Sequence, residues 1–124
     1  MKTLIVFISI IISVSGCESA ENSQQVDRKE LDRQLEGIKD LIAQESCDDE
    51  TSCDYIAVGS KACGGPKTYL LFPSSIDRQE LKELVDNYNK SEADFNQKYG
   101  IVSDCMFITP PEKIGCVNGK CETL

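Results

Sequence analysis

Two stretches of this chain repeat their hydrophobic residues with the period of an α-helix. In the first stretch the apolar positions are Leu31, Leu35, Ile38 and Ile42. Asp27 precedes them and Glu30 follows it three residues later, which is the spacing of a capping box at a helix start. The pattern therefore predicts a first helix over residues 27–45, with Gly37 as its weakest internal position.

The second stretch is longer and carries aromatic residues. Its apolar positions are Leu81, Leu84, Val85, Tyr88, Phe95 and Tyr99. Asp77 and Glu80 again have capping-box spacing, and Gly100 ends the pattern. We predict a second helix over residues 77–98, whose aromatic rings pack in the core rather than line a ligand pocket.

Short segments rich in β-forming residues lie between turn-forming Gly, Pro, Asn or Ser residues. They are residues 55–58, 68–72, 105–109, 113–117 and 120–123. Asn118-Gly119 is the strongest turn signal, because a type I′ hairpin needs positive φ at both central residues, and it pairs Val117 with Lys120. The predicted fold is α+β, with two helices packed on a small antiparallel sheet and stapled by disulfides.

The N-terminus has a different pattern. Lys2 precedes a mostly apolar run over residues 4–12, which is shorter than the ~20 residues of a membrane-spanning helix and typical of a removed export signal. The run ends at Val14-Ser15-Gly16-Cys17, which resembles the lipobox of bacterial lipoproteins. This resemblance implies that a diacylglyceryl group is attached to the Cys17 thiol and that the chain is cut before it. Cleavage of the same bond by the ordinary secretory peptidase is the alternative, because Val14 and Gly16 are small.

These signals divide the chain into three parts. We expect a signal peptide over residues 1–16, a lipidated flexible tether over residues 17–26 and a single domain over residues 27–124. Acylated Cys17 would anchor the protein to the lipid bilayer of the cell envelope, facing the periplasm or the exterior. The lipoproteins that this chain resembles usually carry aspartate after the lipidated cysteine when they stay in an inner membrane. Glu18 stands there instead, which favours the outer membrane if the host has two membranes.

Cysteine number supports the same interpretation. Of the seven cysteines, lipidation accounts for Cys17, and the rest are Cys47, Cys53, Cys63, Cys105, Cys116 and Cys121. An even set in an exported chain predicts three disulfides rather than free thiols.

The pairing of these cysteines stays open from the sequence alone. The Asn118-Gly119 turn places Cys116 opposite Cys121, and a two-residue connection at Pro110-Pro111 would place Cys105 opposite Cys116. Either cross-strand bond is feasible, with a slight preference for Cys116 with Cys121. We also expect a bond from the end of the first helix into the sheet.

The most distinctive motif of the domain is Cys63-Gly64-Gly65-Pro66, followed by Lys67 and Tyr69. Two glycines before a proline suit a tight loop, so Gly64, Gly65, Pro66, Lys67 and Tyr69 form a candidate binding loop, with a disulfide-anchored turn as the simpler alternative. Together with the spacing of the other cysteines, the motif resembles small cysteine-rich exported bacterial domains of unknown function. That resemblance implies no activity.

Charge and composition narrow the partners. The net charge of −8 argues against nucleic acid and against direct contact with anionic lipid heads, and favours a basic target. Carboxylates of Asp48, Asp49, Glu50 and Asp54 would suit Ca²⁺, but the EF-hand pattern is missing, so we expect a solvated loop without a metal and no cofactor.

Catalysis is not expected. The chain has no histidine, no Cys-x-x-Cys pair and no paired carboxylates in an apolar context. We therefore predict a lipid-anchored binding module for an unknown protein partner, for example an inhibitor of a hydrolase, which contacts it through residues 64–67 or the Asn118 turn. The alternative is a structural or accessory lipoprotein of the envelope.

Overall fold

A computed structural model describes residues 18–49 and 51–124. The predicted signal peptide and the lipidation site Cys17 lie outside the described residues. In chain order the elements are α1 (Glu18–Ala43), β1 (Cys53–Val58), β2 (Thr68–Pro73), α2 (Arg78–Lys98), β3 (Ile114–Val117) and β4 (Lys120–Thr123). The fold is α+β and disulfide-stapled, as the sequence predicts.

The two helices follow the predicted patterns with one difference. The side chain of Asp77 accepts hydrogen bonds from the backbone N–H groups of Gln79 and Glu80, which confirms the predicted cap of α2. In contrast, α1 begins at Glu18, so the segment predicted to be a flexible tether is helical. This segment contains no Gly or Pro, and its Glu, Gln and Ala residues are good helix formers, so the helix extends back beyond its amphipathic part. The helix start predicted at Asp27 is therefore wrong, and the Asp27 carboxylate accepts hydrogen bonds from Lys98 and Tyr99 at the end of α2 instead.

The strands form two separate two-stranded sheets rather than one. β1 and β2 pair antiparallel from Cys53 opposite Pro73 to Val58 opposite Thr68. β3 and β4 form the predicted hairpin, with Asn118 at φ 51° and Gly119 at φ 80°. Both angles are positive, as a type I′ turn requires, so this turn prediction is confirmed.

The strand predicted over residues 105–109 is wrong. Residues 101–111 contain no helix, strand, turn or bend and run as an extended segment outside both sheets. Pro110 and Pro111 lack the backbone N–H that sheet pairing needs, and they end this segment instead of forming a two-residue turn. Cys105 therefore does not lie opposite Cys116.

The hydrophobic core lies between the two helices and the β1–β2 sheet. Its buried members are Leu31, Ile38, Val58, Phe72, Ile76, Leu81, Val85, Tyr88 and Phe95. The apolar stripes predicted for the helices supply most of them, and the aromatic rings of α2 pack as expected. Among the described residues, none after Ile101 belongs to this core.

Three disulfides attach the remaining part of the chain. Cys47 bonds Cys116, Cys53 bonds Cys121, and Cys63 bonds Cys105. The expected bond from the end of the first helix into the sheet is confirmed by the first of these pairs.

The preferred Cys116–Cys121 bond is wrong, although these two residues do lie opposite each other in the β3–β4 ladder. Cys47 and Cys53, on either side of the α1–β1 connection, each take one of them. The observed bonds span 69 and 68 residues. A disulfide stabilises the folded state by lowering the conformational entropy of the unfolded chain, and the effect grows with the length of the closed loop. This stabilisation is about 4 kcal/mol for a loop of that length, compared with roughly 2 kcal/mol for a bond across the hairpin.

Polar residues of α2 hold the loop between β1 and β2. Asn89, Glu92 and Asn96 are three and four residues apart, so they share one face of the helix. The Gly59 N–H donates to Asn89 Oδ1 (2.7 Å), and the Ser60 N–H donates to Glu92 Oε2 (2.8 Å). Asn96 Nδ2 donates to the Ser60 carbonyl (2.7 Å). We call these three side chains the loop anchor.

Glu92 is the centre of the loop anchor and is fully buried. Its carboxylate also receives the Lys67 ammonium. Burial, together with the nearby Glu92 carboxylate, raises the pKa of Tyr88 to about 12, so its hydroxyl stays neutral beside this carboxylate. A buried carboxylate costs free energy unless its oxygens are paired, and these partners supply that pairing.

We expect Gly59→Ala to destabilise the protein more than Gly64→Ala. Both glycines have positive φ, 92° and 100°, so each substitution introduces backbone strain of about 1–3 kcal/mol. Only at Gly59 would the new Cβ also lie 2.8 Å from Lys67 Cβ and 3.1 Å from Glu92 Oε2, whereas no atom lies within 4 Å at Gly64. Urea unfolding of both variants measures the difference, and equal losses would contradict the crowding at Gly59.

We expect Lys67→Met to lower the free energy of unfolding by about 3 kcal/mol, because it leaves the buried Glu92 carboxylate without a counter-charge. Adding Glu92→Gln should recover part of this loss, since an amide needs no counter-charge. Lys120→Met, at an exposed position of β4, is the control and should change stability by less than about 0.5 kcal/mol. Denaturant unfolding of the single and double variants gives the coupling, and its absence would contradict the role assigned to the ion pair.

Candidate binding site

The predicted binding loop is found between β1 and β2, but its residues have different roles. Gly64 and Gly65 are exposed at the tip of a tight turn, in which the Gly64 N–H donates to the Lys61 carbonyl and the Lys61 N–H donates to the Gly65 carbonyl, each at 2.9 Å. Pro66 is half-buried. The Lys67 ammonium is bound to Glu92, so Lys67 supports the loop instead of reaching for a ligand.

A second segment of the chain lies beside this loop. Cys105 is bonded to Cys63, with 5.4 Å between the Cα atoms, and the Cys63 N–H donates to Ser103 Oγ (3.1 Å). Lys61 Nζ donates to Asp104 Oδ1 (2.7 Å) and to the Met106 carbonyl (2.8 Å). These bonds join the β1–β2 loop to the extended segment at several points.

Electrostatics strengthens this connection. The Lys61 side chain is only 9% exposed, so its charge is largely shielded from water, although Asp104 itself is open to solvent. The hydrogen bond from Lys61 holds the pKa of Asp104 below its usual range, aided by the Met106 N–H (3.0 Å). The carboxylate therefore stays charged and keeps its position at neutral pH.

Tyr69, another predicted binding residue, also has a supporting role. Its ring packs edge-on against Tyr55, with 5.5 Å between the ring centroids. Its hydroxyl donates to the Ile108 carbonyl at 3.4 Å, which is a long contact. Tyr69 thus holds the extended segment on the C-terminal side of Phe107, whereas the Cys105 disulfide holds it on the N-terminal side.

The segment held in this way exposes large apolar side chains. Val102 is 89% exposed, Met106 74% and Phe107 80%. We call residues 102–108 the braced segment. Exposed apolar groups on a fixed backbone are typical of contact surfaces, whereas scattered single ones need no explanation. These residues were not predicted as a contact surface, because most of them fall in the strand predicted over residues 105–109. The sequence feature that could have indicated an exposed contact segment is the apolar pair Met106-Phe107, which lies between Cys105 and Pro110-Pro111.

The other predicted contact point, the Asn118 turn, carries no large apolar side chain. The Cys47 N–H donates to the Gly119 carbonyl (3.1 Å), which ties this turn to the end of α1. Its residues therefore have a clear structural role.

Two of the acidic residues weighed as calcium ligands make hydrogen bonds or ion pairs within the protein. Asp48 Oδ1 accepts hydrogen bonds from the N–H (2.8 Å) and the hydroxyl (2.7 Å) of Thr51. Asp54 pairs with Arg78 at 2.8 Å, and the Tyr55 N–H, its strongest partner, holds the pKa of Asp54 below its usual range. Glu50 lies outside the described residues. The sulfurs of Cys47, Cys53 and Cys121 lie within 4.8 Å of one another because they belong to two adjacent disulfides.

Comparisons with known proteins add no relative. No family model matches the chain, and no curated protein and no solved structure is significantly similar to it. Within the residues that the structure describes, no helix is long and apolar enough to cross a membrane. The contacts described above are therefore the basis for a functional proposal.

Proposed function

We propose that this protein is a lipid-anchored, extracytoplasmic binding module that acts without catalysis of its own, for example as the inhibitor of a hydrolase. The observation that carries this proposal is the braced segment. Its apolar side chains face solvent while its backbone is held by a disulfide, an ion pair and several hydrogen bonds.

The energetics of this arrangement favour binding. Burying one Met or Phe side chain contributes about 1.5–3 kcal/mol, so Met106 and Phe107 offer a partner substantial free energy. A flexible segment would lose part of this gain in conformational entropy on binding, whereas a preorganised one does not. The partner that fits has an apolar depression, and the net charge of −8 favours one with a basic surface around it.

Sequence and disulfides together support the anchor and the compartment. The lipobox-like Val14-Ser15-Gly16-Cys17 follows an export-type apolar run, and the six other cysteines pair with one another, so none of them is left to bond Cys17. Disulfides form in oxidising compartments outside the cytosol. Two or more acyl chains on one cysteine suffice for stable attachment to a bilayer.

Lipidation is tested directly by metabolic labelling. Cells that produce the full chain with an alkyne-tagged fatty acid should give a labelled protein in the membrane fraction, and Cys17→Ala should abolish both the label and the membrane attachment. Cys63→Ala with Cys105→Ala is the matched control, since it removes cysteines but leaves the lipid. A protein that is exported and cut without label would instead favour the ordinary secretory peptidase.

Binding through the braced segment is tested by affinity capture with quantitative mass spectrometry. We expect the full chain, purified in detergent with intact disulfides, to retain a partner from envelope or extracellular extracts. Phe107→Ser should lose that partner at least tenfold, because the apolar anchor is gone. Val26→Ser, which removes a 57% exposed apolar side chain from α1, should retain it.

The outcomes separate the two functional classes. Equal capture by wild type and Phe107→Ser would show that the contact surface lies elsewhere on the protein. No partner at all, with the disulfides confirmed by intact mass, would favour the alternative of a structural or accessory envelope lipoprotein.

A further inference from the structure

We infer that the braced segment is the reactive segment of a peptidase inhibitor, with Phe107 as the side chain that enters the primary specificity pocket of the enzyme. The partner class is an endopeptidase with an extended substrate cleft and an apolar pocket. This inference rests on the proposed function and names the partner of the same site.

The backbone has the form that a peptidase cleft accepts. Residues 101–111 run without turn or bend, and extended peptides bind by pairing their backbone with the edge of a partner's sheet. Within the described residues Phe107 takes part in no hydrogen bond, so its N–H and carbonyl are available for such pairing. Its two neighbours differ, because the carbonyls of Met106 and Ile108 accept bonds from the body of the protein.

The side chain fits the pocket of one class of enzyme. Phe107 is 80% exposed, and its aromatic ring suits the hydrophobic slot that selects large apolar residues in chymotrypsin-like peptidases. Asp104, three residues before Phe107, is paired with Lys61, so its carboxylate does not oppose burial of the anchor as an uncompensated charge.

The chain is held on both sides of Phe107, which explains why the segment would inhibit a peptidase rather than be cleaved and released as a substrate. Cleavage after Phe107 breaks its peptide bond to Ile108 and takes up one water, which leaves a carboxylate on Phe107 and an ammonium group on Ile108. The Cys63–Cys105 disulfide and the Lys61 bonds retain the first end. The contact of Tyr69 with the Ile108 carbonyl and the rigid Pro110-Pro111 retain the second. Before water is taken up, Phe107 is held as an acyl group on the enzyme nucleophile, and the retained Ile108 amine stays beside it. Attack of this amine re-forms the peptide bond and frees the nucleophile, so resynthesis competes with hydrolysis and release.

The test is a change of specificity by one substitution. The full chain in detergent is assayed against chymotrypsin, which prefers large apolar side chains, and against trypsin, which prefers basic ones. We expect wild type to inhibit chymotrypsin and not trypsin. Phe107→Lys should reverse this preference by about 100-fold or more in each inhibition constant, and Val26→Lys, at an exposed site on α1, should leave both unchanged.

A second measurement distinguishes an inhibitor from a substrate. After long incubation, mass spectrometry should find one slow cut after residue 107, with the two pieces joined until the disulfides are reduced. Rapid cleavage at many sites, or failure of Phe107→Lys to inhibit trypsin while its disulfides are intact, would overturn the inference. If partner capture nevertheless still depends on Phe107, the proposed binding function stands without peptidase inhibition. If capture is also independent of Phe107, the inference fails together with the assignment of the contact surface to the braced segment.

Discussion

Disulfide cross-links are the constraint on which the C-terminal part of this protein depends. The hydrophobic core is complete with α1, the β1–β2 sheet and α2, and no described residue after Ile101 belongs to it. The braced segment and the β3–β4 hairpin therefore cannot be held by burial in that core. Cys105, Cys116 and Cys121 attach them to the core instead. This explains how a chain with a modest core keeps an extended, water-exposed segment in one position.

The loop anchor sets the direction of the β1–β2 loop, which the disulfides alone do not determine. A disulfide at Cys63 fixes one point of the β1–β2 loop, but the direction of the loop is set by the bonds that Gly59 and Ser60 make with α2. A buried carboxylate such as Glu92 is a weak source of stability, because desolvation offsets much of its pairing. Its value here is geometric, since only one position of the loop satisfies all of its partners. The buried network and the disulfide thus both hold the β1–β2 loop, at different points along it.

Local patterns in the sequence predicted the elements well, whereas features that depend on distant partners were missed. The N-cap at Asp77 and the Asn118-Gly119 turn need only neighbouring residues, and both are confirmed. Disulfide pairing depends on which elements meet in space, so the opposition of Cys116 and Cys121 was correct and the bond between them was not.

The candidate site shows the same division between local and distant information. Gly64 and Gly65 were placed correctly in an exposed turn, but Lys67 and Tyr69 have supporting roles that the sequence could not show. Glu92 occupies a position that continues the apolar stripe of α2, and a charged residue there was the available signal for a buried network.

The order of the disulfides has a consequence for biogenesis. Each bond joins a cysteine of residues 47–63 to one of residues 105–121. Under the proposed export, with the N-terminus leading, Cys47, Cys53 and Cys63 would reach the oxidising compartment before any native partner does. Each would have to stay reduced, or exchange a premature bond, until its own partner among residues 105–121 arrives, which would make correct folding dependent on thiol–disulfide exchange in that compartment.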